Sequence, residues 1–107
     1  MTYEEIFNTV RERFADSDVS RIREHLAFQF NIEGEGEGAF YAEVKAGELF
    51  VEPYEYFDRD VLFACTADTL LDIIDGKVDP IVAYNDKRLK VKGDLGKALR
   101  LKDMLKS

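Results

Sequence analysis

The spacing of the apolar residues changes at Leu26, and this change constrains the fold more than any other feature of the sequence. Residues 3–15 carry apolar side chains three and four positions apart, which predicts an amphipathic helix. The capping pair Thr2 and Glu5 marks the beginning of this helix. From Leu26 to Glu33 apolar and polar residues alternate instead, which predicts a half-buried β-strand.

Further alternating segments follow at residues 40–44, 49–51 and 61–65. The stretch 33–38, in which glutamate and glycine alternate, predicts an acidic hairpin tip, and residues 46–47 predict a second turn. Because these strands follow one another through short turns, we expect antiparallel pairing in this region.

The helical period returns after the fourth strand. Thr66 is the expected N-cap of a short helix that ends at Gly76, and Asp79 followed by Pro80 predicts the beginning of another helix. Residues 88–92 alternate again and predict a fifth strand. One last helix follows, with the apolar residues Leu95, Ala98, Leu99, Leu101, Met104 and Leu105.

The length of 107 residues suits a single α+β domain over residues 1–107, with a five-stranded, largely antiparallel sheet. The net charge of −7 argues against nucleic acid as a partner, because binding of phosphates requires cations. The chain has one cysteine and one histidine, so we expect no metal cluster and no cofactor. No apolar run approaches the roughly 20 residues that cross a bilayer, and the beginning of the chain is too charged for a signal peptide.

The charge is distributed unevenly along the chain. Residues 87–107 carry eight cations and two anions, a net charge of +6, whereas residues 1–86 carry a net charge of −13. This asymmetry has two explanations. Either the basic segment is a surface for an anionic partner such as a membrane, or the two parts of the chain attract one another.

Two residue types that often act in catalysis occur once each. His25 lies next to Glu24, but no serine or second cysteine stands in a recognisable nucleophile motif. Cys65 ends the apolar stretch 62–65, which predicts a buried, unreactive thiol with a raised pKa. The glycines of residues 33–38 lack the spacing of a dinucleotide-binding loop, and the glutamates between them repel phosphate. We therefore expect no catalytic residues.

Two segments carry more apolar surface than their position explains. The last helix is apolar over more than half of its circumference, so it either contacts two layers of the fold or presents part of this surface to a ligand or a partner. The loop after Pro53 contains Tyr54, Tyr56 and Phe57, which either cover an edge of the sheet or line an entrance.

The C-terminal third of the chain resembles a known family. Residues 76–84 read G-K-V-D-P-I-V-A-Y, which is similar to the G-K-x-x-P-x-x-A-(Y/F) stretch of the sterol carrier protein 2 (SCP2) domain. Residues 89–93, L-K-V-K-G, resemble the strand that follows in that family, with a helix just after the glycine. The upstream order of elements is also similar, so the resemblance covers nearly the whole chain. It is closest in form to a stand-alone, prokaryotic-type member.

The resemblance implies both a fold and a function. Family members have a five-stranded sheet, helices covering one face and a hydrophobic tunnel between the layers, and they bind and transfer lipids without catalysis. The implied ligand is a fatty acid, fatty acyl-CoA, phospholipid or sterol, and each buried methylene contributes about 0.8 kcal/mol. The implied tunnel wall contains Val10, Phe14, Phe30, Leu71, Ile74, Leu99 and Met104. The implied head-group cations are Arg13, Arg21 and Arg23.

Two departures from the family pattern bear on these expectations. The sequence stops at residues 105–107 without the apolar tail that closes the tunnel in many members, so we expect a more exposed or partly collapsed tunnel. These residues also differ from the terminal tripeptide of peroxisomal members, which favours a cytoplasmic location. The alternative function is a protein-interaction or dimerisation module that uses the apolar last helix. A third hypothesis is a domain that assists an enzyme.

Overall fold

The computed structural model describes residues 1–105, and no helix among them is long and apolar enough to cross a membrane. The predictions for residues 106 and 107, including the last cation of the basic segment, lie outside the described residues. The helices are α1 (Tyr3–Ala15), α2 (Ala67–Ile74), α3 (Pro80–Asn85), α4 (Leu95–Ala98) and α5 (Leu101–Leu105). The strands are β1 (Leu26–Glu33), β2 (Gly38–Lys45), β3 (Glu48–Glu52), β4 (Val61–Thr66) and β5 (Lys90–Gly93).

The predicted helix caps are present. The Thr2 hydroxyl accepts a hydrogen bond from the Glu5 N–H, and the Glu5 carboxylate accepts one from the Thr2 N–H, which completes the capping box of α1. Thr66 caps α2 and Asp79 caps α3, as the sequence predicts. These caps determine where the helices begin.

The strands form one sheet in the order β3-β2-β1-β4-β5. The pairs β1–β2, β2–β3 and β4–β5 are antiparallel, whereas β1 and β4 are parallel. The largely antiparallel α+β fold is therefore confirmed, but the expectation of antiparallel pairing is wrong for β4. Residues 53–60 carry the chain from the edge strand β3 across to the other side of β1, and this crossover makes the pair parallel.

The core lies between the sheet and the helices that cover one of its faces. Phe7 of α1 contacts Phe40 edge to face with ring centroids 5.7 Å apart, and Phe14 contacts Phe30 at 6.4 Å. All four rings are buried, and full burial of one such side chain contributes roughly 1.5–3 kcal/mol. This aromatic core holds α1 on the sheet.

The opposite face of the sheet is covered in part by the segment 53–60. Gln29 of β1 points to this face yet is only 2% exposed. Its side-chain oxygen accepts hydrogen bonds from the Tyr56 N–H at 2.9 Å and the Arg59 guanidinium at 3.3 Å, and its nitrogen donates to Asn31 at 2.9 Å. The prediction of a half-buried strand is therefore wrong for the middle of β1, which is buried on both faces.

The aromatic loop after β3 covers a face of the sheet rather than its edge. Tyr56 contacts Tyr41 edge to face at 4.9 Å, and its hydroxyl donates to the Glu43 carboxylate at 2.7 Å. This hydrogen bond raises the pKa of Tyr56 to about 12. Tyr54 and Phe57 remain exposed.

The predicted last helix is two short helices, α4 and α5. Between them the Arg100 N–H donates to the Lys97 carbonyl, which is the tighter bonding pattern of a 3₁₀ turn. Gly96 in α4 lowers the helix propensity of this segment. The prediction of one continuous helix is therefore wrong, and the buried residues of the segment lie on α5, Leu101 and Met104.

Gly93 lies where β5 meets the beginning of β4. Its φ angle is +117°, and a Cβ atom at this position would overlap the Asp60 carbonyl oxygen. The Asp94 N–H donates to the same carbonyl at 3.0 Å. Only glycine permits this close approach, which brings β5 and the beginning of α4 together.

Candidate functional site

An apolar pocket lies between α3, α4 and the edge strand β5. Its volume is about 280 Å³. Phe63 of β4 and Val91 of β5 form its floor, and the two short helices form its walls. The lining residues are Phe63, Pro80, Ile81, Tyr84, Asn85, Leu89, Val91, Leu95, Ala98, Leu99 and Lys102.

The walls of this pocket expose large apolar side chains. The exposed fraction is 43% for Ile81, 56% for Leu95 and 59% for Leu99. Water contact costs about 25 cal/mol for each Å² of apolar surface, so an apolar ligand that covers these side chains is stabilised. Exposed apolar side chains gathered around a pocket are typical of binding surfaces.

Capped short helices hold these walls in place. The Asp79 carboxylate accepts a hydrogen bond from the Ile81 N–H at 2.7 Å, and Pro80 occupies the first turn of α3. At the other end of α3, the Leu89 N–H donates to the Ala83 carbonyl at 3.1 Å, which turns the chain into β5. An aspartate N-cap begins α4 in the same way.

A second cavity, of about 260 Å³, lies next to the first between the α2–α3 connection and α5. The two cavities share Pro80 and Lys102 in their linings. The Lys102 ammonium donates to the Asp79 carboxylate at 2.8 Å, and this hydrogen bond lowers the pKa of Asp79. The residues that line the second cavity are Ile73, Gly76, Val78, Asp79, Pro80, Lys102 and Leu105.

The residues that the family resemblance assigns to a tunnel wall fall into two groups. Leu99 lines the pocket, and Phe30 lies directly behind its floor, stacked on Phe63 with ring centroids 5.2 Å apart. The other five pack in the core or against it: Val10, Phe14, Met104, Leu71 and Ile74. The assignment of these residues to a ligand wall stays a prediction.

The three predicted head-group arginines do not line the apolar pocket. Arg13 of α1 pairs with Asp75 at the end of α2, with a nitrogen–oxygen distance of 2.8 Å. Arg21 and Arg23 are exposed in the connection between α1 and β1. The cation that lines the pocket is Lys102. A head-group role for the arginines stays a prediction.

The basic C-terminal segment pairs with the acidic part of the chain. Four of its cations contact carboxylates from before residue 87, in the pairs Lys90–Glu33, Lys97–Asp60, Arg100–Glu24 and Lys102–Asp79. Each pair is partly exposed, so each contributes only about 0–1 kcal/mol. These contacts favour the explanation in which the two parts of the chain attract one another.

His25 and Cys65, the single histidine and cysteine of the chain, lie outside the lining of the apolar pocket. The His25 Nε2 atom lies 2.6 Å from the Glu43 carboxylate, on the face of the sheet that Tyr56 covers. Cys65 is buried, and burial raises the pKa of its thiol to about 12. The expectation of a buried thiol with a raised pKa is therefore confirmed.

Sequence reasoning missed most of the pocket lining. It treated Ile81 and Tyr84 only as residues of a short helix, and Leu89 and Val91 only as residues of a strand. The sequence held no signal for this, because the burial of Ala83 alone on α3 is known only from the structure. Ile81 and Tyr84, which are partly exposed and line the pocket, are therefore available to a ligand.

A family model and solved structures of other proteins match the sequence and the fold of this chain. A model of the SCP-2 sterol transfer family matches residues 7–106. Sterol carrier protein 2 from Yarrowia lipolytica, in its apo form, is 18% identical with a TM-score of 0.67, over 94% of this chain and 86% of that one. The palmitated SCP2L2 from Aedes aegypti is 21% identical with a TM-score of 0.69, over 100% of this chain and 96% of that one.

The curated relatives are longer proteins. Hydroxysteroid dehydrogenase-like protein 2 of Mus musculus is 28% identical over 103 residues, which cover 95% of this chain and 21% of the relative. The chain spans about a fifth to a quarter of the length of the curated relatives it matches. The match over residues 7–106 and the shared fold lead to one conclusion. The chain belongs to the SCP-2 sterol transfer family.

Proposed function

We propose that this chain binds a lipid in the apolar pocket between α3, α4 and β5 and carries it without catalysing a reaction. The observation that carries the proposal is the exposure of Ile81, Leu95 and Leu99 around a cavity of about 280 Å³. Membership of the SCP-2 family and the palmitated state of the Aedes aegypti neighbour support lipid binding.

The volume of the pocket favours a single acyl chain. An apolar cavity of about 150 Å³ holds one benzene ring, so this pocket corresponds to roughly ten to twelve carbon atoms. A fatty acid, or the acyl chain of a fatty acyl-CoA or a phospholipid, is therefore a better match than a rigid sterol. The head group then lies at the mouth of the pocket, where Asn85 provides polar atoms.

A larger groove, of about 610 Å³, lies between the end of α1 and β3. Its lining includes the carboxylates of Asp18, Glu48 and Glu52. Transfer of a hydrocarbon chain next to carboxylates gives less stabilisation, because their desolvation opposes binding. The smaller apolar pocket is therefore the better lipid site.

The non-enzymatic part of the proposal rests on the positions of the reactive groups. His25 is bonded to Glu43 on the face of the sheet that lies away from the helices, and Cys65 is buried with a raised pKa. The curated relatives are named as dehydrogenase-like proteins. In a longer protein of that kind, we propose that this domain holds the lipid while the chemistry takes place elsewhere.

Native mass spectrometry and thermal unfolding test the proposal. We expect the protein to bind dodecanoate at one site, and saturation at a hundredfold over Kd to stabilise it by roughly 2.7 kcal/mol. A protein that stays unliganded in the presence of fatty acids, fatty acyl-CoA, phospholipids and sterols, with an unchanged Tm, contradicts the proposal.

The exposed apolar residues of α4 also favour the alternative, a dimerisation module. Light scattering distinguishes the two functions. A dimer that persists after delipidation and does not respond to acyl ligands supports the alternative, whereas a monomer that binds lipid supports the carrier.

The proposed location is the cytoplasm, with brief contact between the exposed cations Lys87 and Lys92 and an anionic membrane during lipid exchange. Sedimentation with vesicles tests this contact. We expect binding to increase with phosphatidylserine content and to decrease with salt, and binding that responds to neither contradicts it.

A further inference from the structure

We infer that the side chain of Lys102 is a gate between two apolar cavities and sets the longest acyl chain that the site accepts. The inference rests on the proposed function, because it concerns how far a lipid chain extends into the protein. It assigns a specificity-determining role to one residue and its partner Asp79.

The geometry of the two cavities carries the inference. The first has a volume of about 280 Å³ and the second about 260 Å³, and both are lined mainly by apolar side chains. Pro80 and Lys102 belong to both linings, so the two cavities adjoin at these residues, and we take them as the partition. Pro80 is held by the backbone at the first turn of α3, whereas Lys102 is a flexible side chain on α5.

The partition is held closed by an ion pair at its edge. The Lys102 ammonium donates to the Asp79 carboxylate at 2.8 Å, and this contact restrains a side chain that belongs to both linings. The side chains of Lys102 and Asp79 are 41% and 37% exposed. An ion pair with this exposure is weak, so substitution of either partner opens the partition without a large effect on the fold.

Opening the partition joins the two cavities and nearly doubles the volume that a chain can occupy. With the partition closed, the wild-type protein accepts an acyl chain of about ten to twelve carbons and leaves any further carbons in water. A protein without the partition accepts a chain that continues towards Ile73 and Leu105.

The test is the dependence of Kd on chain length, measured with saturated fatty acids of 8 to 18 carbons by isothermal titration below their micellar concentrations. Each buried methylene lowers Kd by about fourfold. For the wild type we expect this decrease to stop near 12 carbons. For Lys102→Ala we expect it to continue, so that palmitate binds at least tenfold more tightly than to the wild type.

Two further variants separate the gate from a general effect of substitution. Asp79→Asn removes the carboxylate charge but keeps a good N-cap for α3, and we expect it to shift the profile in the same direction. Lys97→Ala removes another ion-paired lysine, which lines neither cavity, and we expect the wild-type profile.

The outcomes distinguish the two claims. If fatty acids bind but Lys102→Ala and Asp79→Asn keep the wild-type dependence of Kd on chain length, the gate is wrong and the proposed function stands. The same conclusion follows if the Kd of the wild type decreases steadily up to 18 carbons. A wild type that binds no fatty acid overturns the proposed function and the gate together.

Discussion

Phe63 of β4 stacks on Phe30 of β1, with ring centroids 5.2 Å apart and 20° between the ring planes. The two residues are direct partners in the parallel β1–β4 pair. Because Phe63 also lines the apolar pocket, one ring belongs to both the core and the site. The floor of the pocket is therefore packed directly on the aromatic core.

Removal of the Phe30 ring tests this aromatic core. Phe30 is 2% exposed, so Phe30→Ala leaves a cavity, and we expect it to lower the free energy of unfolding by about 3–5 kcal/mol. Phe57 is 94% exposed, and we expect Phe57→Ala to change it by less than about 0.5 kcal/mol. Urea unfolding measures both values, and similar losses for the two variants contradict this description of the core.

The exposed residues of the pocket wall should affect binding more than stability. We expect Leu95→Ser and Leu99→Ser each to raise the Kd for dodecanoate by about five- to tenfold, because each exposed leucine loses roughly 1 kcal/mol of burial against the ligand. Val82 is exposed on α3 but does not line the pocket, so Val82→Ser is the matched control. If Val82→Ser weakens binding as much as the leucine variants do, the pocket is not the site.

Gly93 should be the most sensitive glycine near the site. We expect Gly93→Ala to lower the free energy of unfolding by about 2 kcal/mol or more, because the new Cβ overlaps the Asp60 carbonyl at a positive φ. Gly34 also has a positive φ, but no atom lies within 4 Å of its Cβ position, so Gly34→Ala should cost about 1 kcal/mol. Equal losses in urea unfolding would show that the close approach of β5 and β4 is not tight.

The hydrogen bond between Tyr56 and Glu43 predicts a loss of stability at alkaline pH. This bond raises the pKa of Tyr56 to about 12, whereas a tyrosine in the unfolded chain ionises near pH 10. Because the pKa of Tyr56 is higher in the folded state, its hydrogen bond contributes stability that is complete below about pH 10. This stability is lost as the pH rises through about 12.

Tyr56→Phe tests this assignment. We expect the free energy of unfolding of the wild type to decrease between pH 10 and 12, and that of Tyr56→Phe to decrease less over the same range. Identical slopes in urea titrations of the two proteins would mean that Tyr56 does not titrate as its hydrogen bond predicts.

Local rules made much of the fold predictable. Thr2, Thr66 and Asp79 begin helices because their side-chain oxygens accept the first free N–H groups, and this depends only on neighbouring residues. The parallel β1–β4 pair was missed because alternation indicates which face a residue occupies but not which strand lies beside it. The burial of Gln29 was missed because the covering segment 53–60 is distant in sequence.

The site was less predictable than the fold. For the excess of apolar residues in the last helix the sequence left two explanations, and the exposure of Leu95 and Leu99 favours the available surface. Leu99 was named as a wall residue and lines the pocket. Ile81 and Tyr84 were missed because the inward face of a six-residue helix is set by tertiary contacts. Lys102 was missed because its position between two cavities depends on the break between α4 and α5.

The central claim is that an acyl chain occupies the pocket between α3, α4 and β5. The most direct measurement is a methyl ¹H–¹³C NMR titration with dodecanoate. We predict saturable chemical-shift changes that are largest at the methyl groups of Ile81, Leu89, Leu95 and Leu99, which line this pocket. Changes that are largest at Leu49 and Val51, which line the groove beside β3, or no saturable changes at all, would contradict the claim.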